Sequence, residues 1–443
     1  MSAKISNGNL GVIKDKDMSL TEDSVSDLSS DGVEVEGVDQ GTDSGADNIL
    51  VDDGSSGSTE GIMKQAFGFI KNHLKVGADM TRLPIPATFV APISFLQAIQ
   101  QQSAIYSHLL LSAPTIKDDG ERFLQVLKYH MTWPKMYFPK NPLNPILGET
   151  YECSVQHLDE KTQQPMDQGK TVFMAEQVSH HPPVSCFHFQ NEKHGFSFDS
   201  RQQITPVFKG KCIRATMDIK SCVTLHRGGD VKETYMNDKF CEGYLRLLRW
   251  KFEFSGKYNF TCPETGYSAA INFKDKPLLS GKWHDVQIIV SKGSEALYDI
   301  HGTHVDVLTI TNLKDKSSSV FLNYNTLRQE PVQDLPFDTL KENASARVWK
   351  GVCESFLKKD GRKAGLEKQK IEEYQRKKAK ALLAKDPNYH FKPIYFMQTT
   401  PESPLKSDYI FNSHPSLPTQ NSQSQIAPQI LSPTITPTTT TSS

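Results

Sequence analysis

Residues 176–183 read Glu-Gln-Val-Ser-His-His-Pro-Pro, with two adjacent imidazoles followed at once by two prolines. A proline disfavours helical backbone in the residue before it, so His181 is expected to be extended. Pro182 and Pro183 keep the following step stiff, because each ring fixes its own φ angle. The run therefore predicts a rigid, non-helical turn that presents two histidines, and rigid presentation suits a ligand site.

The chemistry of the histidine pair leaves more than one interpretation open. Adjacent histidines lack the usual spacing of metal ligands, and the chain contains no His-Glu-x-x-His or Cys-x-x-Cys segment. Each ring can donate an N–H to an anion, and a dianionic phosphate raises the pKa of an imidazole toward its charged form. The residues alone fit either a phosphate site or a structural turn whose histidines bond to backbone.

Two further segments carry polar residues in ordered patterns. Residues 141–150 read NPLNPILGET, and two Asn-Pro steps mark a turn in any protein. Lys368, Glu372 and Arg376 are spaced by four residues, which places them on one helix face. Such a face is also typical of a solvated helix stabilised by ion pairs worth about 0.2–0.5 kcal/mol each.

All eight residues of 176–183 match the signature of the oxysterol-binding protein family, and the chain resembles that family over roughly residues 60–398. It resembles the short members, which consist mainly of the ligand-binding domain. Residues 141–150 resemble a second family segment whose first residue is a lysine; that position is Asn141 here, so Lys140, one residue before it, is the candidate replacement. The resemblance implies a site for a phosphoinositide headgroup formed by His180, His181, Asn144, Lys368, Glu372, Arg376 and Lys140.

The fold class expected is α+β. From about Thr150 to Tyr324, short apolar runs, Leu245–Phe254 among them, alternate with Gly, Asn, Asp and Pro, which predicts antiparallel strands in a meander or barrel. The resemblance implies a large near-closed β-barrel with an apolar tunnel over residues 150–325. It also implies an N-terminal helical lid at 61–90 and a C-terminal helical subdomain at 336–400, so that one lipid-binding domain covers residues 61–400.

Phe67, Ile70 and Leu74 recur at helical spacing, and Leu83 and Ile85 follow in a proline-rich strap. An amphipathic helix of this kind docks on its own core, lies on a lipid surface or closes over a cavity. The commonest of these is docking on the core. The resemblance favours the last, with these five residues forming the lid.

The two ends of the chain have compositions that do not build a core. Residues 1–60 contain 14 Asp and Glu against 3 Lys and Arg and no aromatic residue, which predicts a disordered acidic tail. Residues 401–443 contain 27 Ser, Thr, Pro or Gln, which predicts a second disordered tail. The part between them is mildly basic and suits an anionic partner such as a membrane surface.

Several function classes lack their signals. The seven cysteines have no metal spacing, and neither a signal peptide nor an apolar run of membrane-spanning length is visible, which predicts a cytoplasmic protein that touches membranes peripherally and transiently. No nucleophile elbow or glycine-rich phosphate loop indicates an enzyme. We expect no metal, cofactor or nucleic acid.

The sequence thus predicts a lipid-transfer protein that exchanges a sterol or similar lipid for a phosphoinositide, phosphatidylinositol 4-phosphate for preference. The alternative is a lipid-occupancy sensor that regulates partners without bulk transfer.

Overall fold

The computed structural model describes residues 75–78, 90–135, 141–159, 161–162, 164–166, 169–247, 251–275, 282–399 and 408–412. Both predicted disordered segments fall outside this range, apart from 408–412. Also outside it are the candidate ligand Lys140 and the five predicted lid residues, Phe67, Ile70, Leu74, Leu83 and Ile85.

Strands dominate the described chain. In chain order they are β1 Val90–Ser94, β2 Asn141–Leu143, β3 Thr150–Val155, β4 Thr171–His180, β5 Pro183–Asn191, β6 Phe196–Phe208, β7 Cys212–His226, β8 Lys232–Asn237, β9 Glu242–Arg246, β10 Lys251–Cys262, β11 Tyr267–Phe273, β12 Asp285–Lys292, β13 Glu295–Thr303, β14 Val307–Asn312, β15 Ser318–Asn323, β16 Val332–Asp334, β17 Phe396–Gln398 and β18 Tyr409–Phe411.

Helices lie before and after the strands of the large sheet. The α-helices are α1 Phe95–Gln100, α2 Asp119–His130, α3 Ser345–Val348, α4 Lys350–Leu357 and α5 Gly361–Lys385. Short 3₁₀ helices cover Ala104–Leu110, Ala113–Thr115, Trp133–Lys135 and Phe337–Thr339.

Fourteen strands form one antiparallel sheet in the order β15-β14-β13-β12-β11-β10-β8-β7-β6-β5-β4-β3-β16, with β9 pairing with both β10 and β7. A flat sheet of thirteen successive strands would be about 58 Å wide. Its two edge strands are joined by residues 324–331 alone, and a link of that length reaches at most roughly 32 Å. The sheet must therefore curl toward closure, and the predicted α+β fold with a near-closed barrel is confirmed. Its lid and tunnel stay predictions.

Helix α2 lies along the inner face of the barrel. It begins after Asp118, whose side chain accepts a 2.8 Å hydrogen bond from the Glu121 amide, a typical N-cap. Its aromatic residues pack on rings from the strands: Tyr129 lies 5.7 Å from Phe198 and Phe123 lies 6.0 Å from Phe260, measured between ring centroids. The helix thus fills part of the interior with apolar side chains.

The strand register places the β4–β5 turn and the β6–β7 turn at the same end of the barrel. Ser185 on β5 pairs with Gln202 on β6, so the end of β6 at Phe208 extends past the β4–β5 turn at 181–182 on the same side. We call this the histidine end. The chain at 75–78, directly after the predicted lid helix, also lies here: Gly77 donates its N–H to the Phe208 carbonyl at 2.8 Å.

Two details differ from the sequence predictions. The run Leu245–Phe254 is divided between two antiparallel strands, β9 and β10, because the chain reverses within it. Strand β18 lies inside the predicted low-complexity tail and pairs with β17. It is fixed there by long-range contacts that composition does not reveal, including an ion pair from Asp408 to Arg201 on β6 at 2.9 Å.

Candidate functional site at the histidine end

The two histidines lie at the hairpin between β4 and β5. His180 is the last residue of β4 and pairs with Pro183, the first residue of β5, while His181 and Pro182 form the turn. The peptide bond between His181 and Pro182 is cis. Because the turn joins two directly paired strands, it has the non-helical form that the sequence predicted.

The rings of His180 and His181 lie close together, with centroids 4.7 Å apart and planes at 60°. The Nδ1 atom of His180 is buried and has no hydrogen-bond partner within the described part of the chain. Burial lowers the pKa of His180, and proximity to His181 lowers it further, whereas the Pro145 carbonyl and Glu372 act in the opposite direction. His180 thus favours its neutral form until an anion arrives, and it has a free ring nitrogen.

Backbone hydrogen bonds join the segment 141–150 to the histidine strand. Gly148 donates its N–H to the Gln177 carbonyl at 2.9 Å, and Gln177 donates back to the Glu149 carbonyl at 2.9 Å. These bonds hold the Asn-Pro turn beside the end of β4, so that the Pro145 carbonyl faces His180. Asn144, the neighbour of Pro145, is exposed.

Helix α5 forms the third side. Its Gln375 side chain donates to the Leu147 carbonyl at 3.4 Å, and Glu372 lies near enough to His180 to favour the charged imidazole by raising its pKa. Lys368 and Glu372 form an ion pair at 2.8 Å. That pair is the one expected of a solvated helix, and it also places a cation at the edge of the site. Arg376 is exposed on the next turn.

Glu149 organises this region, and sequence reasoning missed it. Its buried carboxyl accepts hydrogen bonds from the Ser345 hydroxyl at 2.6 Å and the Trp349 indole at 2.8 Å, and from the Ile146 amide at 3.1 Å. Ser94, which caps α1, donates to it as well. Burial raises the pKa of Glu149. One side chain thus links the Asn-Pro segment to elements from both ends of the domain.

Glu176, the first residue of the 176–183 stretch, binds backbone groups in the C-terminal part of the chain. Its carboxylate is fully buried and accepts N–H groups from Ile394 at 2.8 and 3.0 Å and from Tyr395 at 2.8 Å. Burial raises its pKa to about 7. The signal for both glutamates was present in the sequence, an acid within an apolar segment, but their partners lie too far along the chain for spacing to indicate them.

The structure thus brings His180, His181, the Asn144–Pro145 turn and the Lys368–Glu372 pair to one place. Arg376 lies one turn farther along α5, and Lys140 lies outside the described residues. Among the residues that are described, no group of three or more His, Cys, Asp or Glu side chains is arranged to hold a metal ion. No described helix is long and apolar enough to cross a membrane.

Sequence comparison identifies relatives. A profile described as oxysterol-binding protein matches residues 69–359, which include the segments 141–150 and 176–183 but not residues 368–376. Oxysterol-binding protein 6 of Dictyostelium discoideum is 70% identical over 413 residues, covering 93% of this chain and 92% of the relative. Oxysterol-binding protein 10 of the same organism is 32% identical, covering 72% of this chain and 79% of the relative.

Solved structures have the same fold. The ORD domain of Osh1 in complex with ergosterol has a TM-score of 0.62 at 19% identity, covering 79% of this chain and 86% of the other. The ORD of Osh3 from Saccharomyces cerevisiae in complex with PI(4)P has a TM-score of 0.57 at 18% identity, covering 81% and 90%. The profile match and the relatives in Dictyostelium establish that this chain belongs to the oxysterol-binding protein family.

Proposed function

We propose that this protein transfers lipids, and that the histidine end of its barrel captures a phosphoinositide headgroup. The second cargo is a sterol or similar lipid, held in an apolar tunnel under the lid formed by residues 61–90. The protein works from the cytoplasm and touches membranes transiently. Binding and exchange, without catalysis, make up its activity.

The observation that carries this proposal is the convergence of three distant segments around His180, whose Nδ1 atom has no hydrogen-bond partner among the described residues. The Asn144 turn and Glu372 are far from His180 in the sequence. In the structure the turn is hydrogen-bonded beside the end of β4, and the Pro145 carbonyl and Glu372 both act to raise the pKa of His180. A phosphate monoester offers several acceptor oxygens and nearly two negative charges at neutral pH. The His pair, the Asn144 amide and the cations Lys368 and Arg376 supply complementary donors.

The interior of the barrel offers a partner for a lipid hydroxyl. The Tyr129 hydroxyl and the Trp133 indole N–H are buried and have no hydrogen-bond partner among the described residues. Both rings pack on Phe198 in the apolar core. A buried donor without a partner costs about 1–3 kcal/mol, so a ligand with one hydroxyl on an apolar body, such as a sterol, would relieve that cost. The Osh1 domain was solved with ergosterol and with cholesterol.

Replacing His180 and His181 by Ala tests the headgroup site. Loss of two charge-assisted hydrogen bonds at about 1.5–3 kcal/mol each should weaken phosphoinositide extraction from liposomes at least about a hundredfold. Binding of a fluorescent sterol should change little. A matched control replaces His226 and His301, two exposed histidines on other strands, by Ala. Normal phosphoinositide extraction by the His180/His181 variant would refute the assignment.

Transfer kinetics separate a carrier from the alternative, a lipid-occupancy sensor. A carrier moves many sterol molecules per protein between donor and acceptor liposomes, and acceptor phosphatidylinositol 4-phosphate accelerates that flux. A sensor binds one lipid per protein and leaves the flux at its spontaneous rate. Sterol movement limited to one equivalent would therefore favour the sensor.

A further inference from the structure

The last three turns of α5 form a basic projection, and Arg376 is the one residue of it that belongs to the candidate headgroup site. The packed part of the helix lies earlier, where Ala364 is its one buried residue among those described and Ile371 contacts the same core. From 376 to 385, every residue except Leu382 is exposed. This part of the helix thus extends beyond the core on which its first half packs.

The charge of this projection has one sign. Residues 376–385 contain five basic residues and no acidic one: Arg376, Lys377, Lys378, Lys380 and Lys385. The ion pairs of α5 within the described chain, Lys368 with Glu372 and Lys370 with Glu367, both lie before it. Like charges on adjacent turns destabilise an isolated helix, so this arrangement is stabilised when an anionic surface lies against it.

Apolar side chains accompany the cations. Leu383 is 50% exposed and lies on the same helix face as Arg376 and Lys380, seven and three residues before it. A basic helix with an exposed apolar side chain between its cations is suited to the interface of a bilayer, where the cations meet anionic headgroups and the apolar group enters the acyl boundary. Nucleic acid would meet the cations but would give the exposed leucine no apolar environment.

We propose that residues 376–385 dock on an anionic membrane surface and so hold the histidine end toward the bilayer. The projection continues directly from the turn of α5 whose Gln375 bonds to Leu147 beside the site. A membrane in contact with it therefore lies close to the place where a headgroup enters. This inference deepens the proposed function and rests on it for the cargo, but the docking itself requires no phosphoinositide.

The test uses the full chain with Lys377, Lys378 and Lys380 each changed to Gln, a residue of similar helix propensity. Arg376 is left in place, because it belongs to the candidate headgroup site. The matched control changes Lys161, Lys232 and Lys314, three exposed lysines outside α5, to Gln. Both variants lose the same net charge. Binding is measured by co-sedimentation with phosphatidylcholine vesicles, with and without phosphatidylserine, in the absence of phosphoinositide and sterol.

We expect the α5 variant to bind phosphatidylserine vesicles about 25-fold more weakly than the unchanged protein, since Lys377 and Lys380 lie within about 60° of each other on the helix and each lysine near an anionic surface contributes about a factor of five. The control variant should keep nearly full affinity. Leu383→Ala should weaken binding a few-fold even at high salt, where the electrostatic part is screened.

Equal binding by the α5 variant and the control would overturn the proposal. So would failure of the full chain to bind phosphatidylserine vesicles at low salt, because the projection would then be occupied otherwise, for example by the acidic segment 1–60. Displacement of the vesicles by single-stranded RNA at comparable phosphate concentration would indicate a nucleic-acid surface instead. Binding of a water-soluble, short-chain phosphatidylinositol 4-phosphate tests the headgroup site separately. Loss of this binding in the His180/His181 variant does not depend on membrane docking.

Discussion

Replacing Glu176 by Gln should stabilise this protein at alkaline pH, although it alters a buried group that accepts hydrogen bonds from two backbone N–H groups. Burial raises the pKa of Glu176 to about 7 from an ordinary 4.5. The native state therefore binds more protons than the unfolded state between these values, and the free energy of unfolding decreases as pH rises through this window. The contribution is fully present below about pH 4.5 and lost above about pH 7.

The size of the effect follows from the shift. A difference of this size corresponds to about 3 kcal/mol between the protonated and ionised forms. Glutamine resembles the protonated acid in size and lacks the charge, so Glu176→Gln should match the unchanged protein at pH 5. At pH 8 the variant should be more stable by up to about 3 kcal/mol.

Urea unfolding at several pH values measures this directly. Buried histidines such as His130, whose pKa is lowered to about 3, also make stability depend on pH. Their contribution cancels when the variant is compared with the unchanged protein at each pH. Glu192→Gln, on an exposed turn, controls for the loss of one negative charge. If Glu176→Gln is the less stable protein at pH 8, the hydrogen bonds from these N–H groups outweigh burial and the reasoning is wrong.

Three other predictions concern the site and its support. Phosphoinositide affinity should increase as pH falls from 8 toward 6.5, with net uptake of protons on binding. The reason is that His180, whose pKa is lowered in the free protein, becomes charged beside the phosphate. Calorimetry in buffers of different ionisation enthalpy measures the proton uptake, and an unchanged uptake in His180→Ala would contradict the prediction. Tyr129→Phe should weaken binding of a fluorescent sterol by about two- to tenfold through one lost hydrogen bond and leave phosphoinositide binding intact; equal sterol affinity would exclude the hydroxyl as a contact. Trp349→Phe should cost about 1–3 kcal/mol in urea unfolding, because the Glu149 carboxyl loses its indole donor; an unchanged midpoint would show that Glu149 is satisfied without it.

The features of the site that depend only on neighbouring residues were predictable from the sequence. The prolines at 182 and 183 indicated a stiff turn, and the four-residue spacing of Lys368, Glu372 and Arg376 indicated one helix face. Both inferences need only the geometry of a few neighbouring residues, and the structure has a turn and a helix at these positions.

The remaining features depend on contacts between distant residues. Glu149 accepts a hydrogen bond from Ser345, 196 residues away in the sequence, and no periodicity indicates such a pairing. Strand β18 lies in a stretch whose composition favours disorder, yet Phe411 stacks on His188 with ring centroids 3.8 Å apart. Tertiary packing overrides local composition at that position. Closure of the barrel likewise required the family resemblance, because strand spacing fits a meander equally well.

The pairing of β3 with β16, where the first and last strands of the barrel sheet in sequence order meet, has a consequence for synthesis in the cell. Strand β3 is completed by β16, and the Tyr151 hydroxyl bonds to Asp334 at 2.7 Å across 183 residues. At about 5–20 residues per second, a ribosome needs roughly ten to forty seconds to make the intervening chain. Throughout that time one edge of β3 has unpaired backbone groups, which can pair with a neighbouring nascent chain. The protein should therefore depend on chaperones most strongly during translation, before residue 334 has left the ribosome.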